Sequence, residues 1–142
     1  MKLFVLLAFF GARIVHAQEQ PAKTLLVEVQ GITNYKGHNL YVALYRQQDS
    51  FPDFNRYFVN KVMAVKSATV VVEFQVPAGL YAVALCHDLN DNQQLDKNIF
   101  GYPKEPFGFS NNRKPKLSPP DFRECQFTFV SDNQKVSINI IE

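Results

Sequence analysis

The chain of 142 residues is poor in several things at once. It has no tryptophan, two cysteines, three histidines and no large excess of either charge. Fifteen lysines and arginines face thirteen aspartates and glutamates, which gives no long-range field to draw in nucleic acid. Beyond the N-terminus no apolar run reaches membrane length, so the body of the chain carries no candidate transmembrane helix. There is no sustained helical period and no internal repeat. With so few histidines and cysteines, no zinc-like ligand spacing exists.

The one long apolar run stands at the start. In "MKLFVLLAFFGARIVHAQ", Lys2 supplies a positive beginning and Leu3 to Phe10 an apolar stretch too short to span a bilayer. Val15-His16-Ala17 resembles a cleavage site. Residues 1–17 therefore read as a signal peptide, and the mature chain is expected to be exported, periplasmic or secreted. Arg13 interrupts the pattern, and an uncleaved N-terminal anchor is the competing reading. No cysteine follows the apolar stretch, so a lipid anchor is not indicated. Loss of Lys2 and Arg13 leaves 13 bases against 13 acids. The remainder, residues 18–142, suits one domain with one core. An oxidising compartment permits a Cys86–Cys125 disulfide, with two separate buried thiols as the alternative.

What the chain does have is alternation. Leu25, Val27 and Val29 share one face of "TLLVEVQ", and Leu40, Val42 and Leu44 one face of "NLYVALY". Val70, Val72, Phe74 and Val76 do the same in "TVVVEFQV", and Tyr81, Val83 and Leu85 in "LYAVALC". "ECQFTFV" and "KVSINII" continue the pattern, and a further strand is expected near Phe58 to Val65. Period two with β-branched and aromatic residues predicts strands. Turns are expected at Asn34–Gly37, at Pro77-Ala78-Gly79 and at Ser131–Gln134, the last closing a terminal hairpin. The fold class that follows is all-β: an antiparallel β-sandwich of about seven strands, immunoglobulin- or transthyretin-like, with one long functional loop.

That loop is "HDLNDNQQLDKNIFGYPKEPFGFSNN". Asp88, Asn90, Asn92, Gln94 and Asp96 fall at positions one, three, five, seven and nine of a calcium-loop pattern, and Asp91 or Glu105 can add a ligand. Gln93 stands where an EF-hand needs glycine, and Ile99 where it needs a bidentate glutamate, so this is not an EF-hand. Three readings stay open. One is a weak Ca2+ site with a Kd of ~10⁻⁴ to 10⁻³ M, as in extracellular modules. Another is a metal-free loop of Asx-turns. The third is a transition-metal site on His87, with His38 and a cysteine as partners.

The second half interleaves Phe100, Tyr102, Phe107 and Phe109 with glycine and proline. Such a segment covers one end of a sandwich core or presents rings to a sugar, a peptide or another ligand with an apolar face. "NRKPKLSPPDF" follows as a polar, proline-rich connector.

"FQVPAGLYAVAL" resembles the PAG-Y-x-V signature of transthyretin-like and carboxypeptidase-regulatory-like sandwiches. With "LLVEVQGI", "HDLNDNQQLD" and "GYPKEPFGFSNN", the whole mature chain is similar to the DUF2141 family of exported bacterial proteins. The matching positions are His87, Asp88, Asn90, Asn92, Asp96, Gly101, Pro103, Glu105, Pro106, Gly108, Phe109, Ser110, Asn111 and Asn112. Where the family often has glycine, this chain has Gln93. The resemblance implies an exported β-sandwich and, since the family's function is unknown, little about activity.

The expected function is a non-enzymatic binding or interaction module. Its ligand contacts would be His87, Glu105, Phe107, Phe109, Ser110, Asn111 and Asn112, beside the Asp/Asn loop. The partner is an unidentified small molecule, glycan or protein. The alternative is a periplasmic hydrolase using His87, Asp88 and Ser110. Adjacent strand residues point to opposite faces, which weakens a His87–Asp88 pair, and no nucleophile elbow surrounds Ser110.

Overall fold

The computed structural model describes residues 20–142, so the signal-peptide reading lies outside the described residues. Strand β1 (Lys23–Gln30) is the centre of a three-stranded sheet. It pairs antiparallel with β4 (Thr69–Val76) and parallel with β8 (Gln134–Asn139), Val27 lying opposite both Val72 and Val136. The second sheet runs β3 (Val59–Ala64), β2 (Asn39–Tyr45), β5 (Gly79–Asp88) and β6 (Phe107–Phe109), with β7 (Phe127–Phe129) also on β5. The chain is thus an all-β sandwich of eight strands in two sheets. All its strand ladders are antiparallel except the parallel pairing of β8 with β1, and β7 and β8 enter different sheets. Ser131–Gln134 therefore joins the sheets and closes no hairpin.

The inward faces are those the alternation predicts. Leu25, Val27, Val29, Leu40, Val42, Leu44, Val72, Phe74, Val83 and Leu85 are buried in one apolar cluster between the sheets. The Pro77-Ala78-Gly79 turn carries the chain across from β4 to β5. There the Tyr81 hydroxyl donates to the Pro77 carbonyl at 2.9 Å, tying the corner back. Gly108 keeps β6 close to the core: a Cβ there would meet the side chains of Ile138 at 3.0 Å and Leu85 at 3.2 Å, which would have to shift.

The outward face of the five-stranded sheet differs from a half-solvated one. Ala43, Tyr45, Ala82, Ala84, Phe107, Phe109 and Cys125 form a second buried cluster there, with Phe51, Phe54 and Phe122 against it. Alanines on β2 and β5 leave a shelf that aromatic rings fill. "ECQFTFV" also departs from a single strand. A four-residue helix, α1 (Phe122–Cys125), takes its first half. Its start is held by the Asp121 N–H donating to the Glu124 carboxylate at 3.0 Å. Cys86 and Cys125 are separate buried thiols. Burial pushes both thiols up, Cys125 to about 12.

Candidate functional site

The segment between β5 and β6 is built by its own side chains. Asp88, buried at the end of β5, accepts from Asn92 N at 3.3 Å and from Gln93 N at 2.7 Å. Asn90 accepts from Asn92 N at 3.1 Å and Asn92 from Gln94 N at 2.9 Å. Asn98 accepts from Phe100 N at 2.9 Å and Tyr102 N at 3.0 Å. These are Asx-turns in series, each satisfying amides that no ladder reaches. Asp91 and Gln93 take left-handed φ of 58° and 63°. Gln93 therefore adopts the conformation that a glycine would take at lower cost.

Glu105 cinches the neck of the loop. Its carboxylate accepts from Leu89 N at 2.9 Å and Asp96 N at 3.3 Å, bringing both ends of the polar lobe onto one group. It is buried, and burial raises its pKa, the two N–H donors opposing that rise. The Asp96 carboxylate in turn accepts from the side-chain amides of Asn90 at 2.6 Å and Asn92 at 3.1 Å. Asp88, Asn90, Asn92 and Asp96 are thus bound into one network of oxygen-bearing groups. Such hard oxygen donors fit calcium chemistry. Among the described residues, no group of three or more His, Cys, Asp and Glu side chains gathers as a metal cluster. A cation here would draw on the Asp88 and Asp96 carboxylates together with asparagine and backbone oxygens, the Gln94 carbonyl included.

The aromatic half lies on the outward face of the five-stranded sheet. It forms one wall of a groove of about 1100 Å³, with Tyr41, Ala43 and Cys86 as floor. The β2–β3 loop, with Phe51 and Arg56, is a second wall, and the Pro115–Pro119 connector a third. Rings run edge to face from Tyr102 through Phe107 to Phe109 at centroid spacings of 5.5 and 5.8 Å, and on to Phe51 at 5.9 Å. Phe107 and Phe109 are 3% and 7% exposed, so they support the groove more than they face it. The rings open to solvent are Phe100, 85% exposed, and Tyr102, 43% exposed.

The remaining expected contacts go elsewhere. β7 pairs with Gly79–Tyr81 and β6 with Ala84–Cys86, which leaves a break in the ladder along β5. Ser110 fills it. Its hydroxyl accepts from Val83 N at 2.9 Å and donates to the Cys125 carbonyl at 2.6 Å. The Asn111 amide donates to the Glu124 and Gln126 carbonyls at 3.2 and 2.9 Å, and Asn112 accepts from Asn139 N at 2.7 Å. These three side chains hold backbone together. His87 points to the inner face and is fully buried, and its pKa is lowered by burial and then by His38. Ser110 engages Val83, four residues from His87 along β5, or about 13 Å. His87, Asp88 and Ser110 are therefore not brought together.

Sequence reasoning missed Tyr41, Phe51 and Pro115–Pro119 as groove residues. The available signal was the alanine stripe Ala43, Ala82 and Ala84 on strand faces otherwise expected to be polar.

A family described as "Uncharacterized protein conserved in bacteria (DUF2141)" matches residues 27–137. No curated protein and no solved structure matches the chain. The chain belongs to the DUF2141 family.

Proposed function

We propose that this DUF2141 protein is an exported, non-enzymatic binding module whose ligand seat is the groove on the outer face of the five-stranded sheet. The observation that carries this reading is the pairing of that concavity with the exposed Phe100 and Tyr102 rings on its wall. Exposed rings rimming a concave, partly apolar surface are costly unless something covers them. A ligand offering an apolar or ring face together with polar edges, such as a sugar or a short peptide, suits that lining. The leader pattern of residues 1–17 supports export. The Asp/Asn lobe positions the wall, since Glu105 and Asp96 lock it directly before the aromatic run. Its oxygen donors suit Ca2+ as the ion that stiffens this lobe.

Two experiments test the reading. Panels of oligosaccharides and peptides are measured by calorimetry against the wild type and a Phe100→Ala/Tyr102→Ala double variant. A ligand bound by the wild type and lost by the variant is the expected result; a ligand bound equally by both places the seat elsewhere. For the ion, the melting temperature is compared in EDTA and in millimolar CaCl2. A rise with calcium that disappears in Asp88→Asn is expected, and an unchanged melting temperature removes calcium from the account.

A further inference from the structure

The inner face of β5 ends on a side chain that the aliphatic core does not explain. His87 is fully buried, and among the described residues neither Nδ1 nor Nε2 has a hydrogen-bond partner. A neutral imidazole carries one N–H donor and one acceptor, and leaving either unsatisfied in the interior is destabilising. Buried polar groups of native folds are paired, so His87 calls for a partner that no described side chain or backbone group supplies.

Its neighbour is a second imidazole. The His38 and His87 ring centres lie 6.5 Å apart, with planes at 61°. His38 Nδ1 stands 3.0 Å from the Asp91 carboxylate. That contact sets the proton on Nδ1 and leaves the Nε2 lone pair free, as in the carboxylate–histidine–metal arrangement. His38 is 27% exposed in its side chain, which gives an ion a way in from solvent. Another buried polar atom without a partner among the described residues, Asn34 Oδ1, lies in the segment leading to His38. Asp88, Asp91 and Glu142 are near enough to act electrostatically on His87, and their negative charge favours a cation there.

We propose that His38 and His87 form a binding site for one late first-row divalent cation, zinc or copper, at this end of the sandwich. Imidazole nitrogens suit these ions, whereas calcium and magnesium take oxygen donors. Metal–nitrogen bonds of about 2.0–2.1 Å put two imidazole centres sharing one ion roughly 5–6.4 Å apart, so the rings close by roughly 1 Å on binding. No third His, Cys, Asp or Glu joins the pair among the described residues, so oxygen from water or an amide completes the shell. The site meets the Asp/Asn lobe at Asp91, which orients His38, and uses no residue of the outer groove.

The test uses the full chain without an affinity tag, stripped with EDTA and dialysed. Zn2+ is titrated by calorimetry at pH 7.5, and the imidazole nitrogen signals are followed by NMR. One site per chain is expected, with both ring systems shifting together and affinity falling at least tenfold in His38→Ala and in His87→Ala. Asp91→Asn weakens binding by roughly ten- to a hundredfold. The partly exposed His38 decides the matter if His87→Ala does not fold. No zinc binding by the wild type, or wild-type affinity retained in His38→Ala, overturns the proposal.

Discussion

The two faces of β5 differ more than two faces of one strand usually do. Inward, Tyr81, Val83 and Leu85 meet the opposite sheet in an apolar, mainly branched-chain core that ends on His87. Outward, Ala82 and Ala84 form a low shelf under aromatic rings, and the strand ends on Asp88, which starts the polar loop. The inner face is filled by close packing of branched side chains. The outer face is filled by segments that return to it from three places in the chain, and it is left with a groove. The inter-sheet core lies on the first face, and the groove proposed as the ligand seat on the second.

Truncating the inner face breaks the comparison most severely. Leu85→Ala leaves a cavity between the sheets and is expected to lose about 2–5 kcal/mol in urea denaturation. A loss within 0.5 kcal/mol would mean the core closes over the gap. The next largest effect lies at the joint between the faces. Ser110→Ala strips the Val83 N–H and the Cys125 carbonyl of their partner, with an expected loss of about 1–3 kcal/mol. Ser110→Thr, which keeps the hydroxyl, separates that loss from the effect of altered volume.

Acid distinguishes the faces by sign. In EDTA, His87 is held neutral below its usual value of 6.5, so its contribution is present above that pH and is lost as pH falls through the lowered value. Glu105 is raised above 4.5 by burial, so its contribution is present below 4.5 and is lost as pH rises through the raised value. Urea midpoints measured from pH 7 to 4 should therefore fall less steeply in His87→Leu and more steeply in Glu105→Gln than in the wild type. The smallest effect is at the loop tip. Gln93→Gly relieves a left-handed φ of 63° and should stabilise by up to about 1 kcal/mol, read as a raised melting temperature.

The same comparison explains what the sequence discloses. β1, β2 and β4 are legible because one of their faces is continuously apolar, and their period sets their bounds within a residue. The Asx-turns of Asp88 to Asn98 are legible because short polar side chains act on amides two to five residues away. β6 is illegible for the opposite reason. Three residues, Phe-Gly-Phe, carry no period of their own, and their strand character comes from Ala84 and Cys86 across the ladder. The parallel pairing of β8 with β1 joins residues more than a hundred positions apart, and no local pattern encodes it. The role of Ser110 is hidden likewise, because it answers a gap between two short strands. The meeting of His38 with His87 depends on the register that sets Leu40 opposite His87.

The most direct test of the central claim is the backbone amide NMR spectrum of the protein titrated with a ligand identified from the panels. Shifts confined to outer-groove residues such as Ala43, Cys86, Phe100 and Tyr102, with Leu25 and Val27 of β1 silent, are the predicted result. Shifts centred on β1 and β4, with the groove silent, would contradict it.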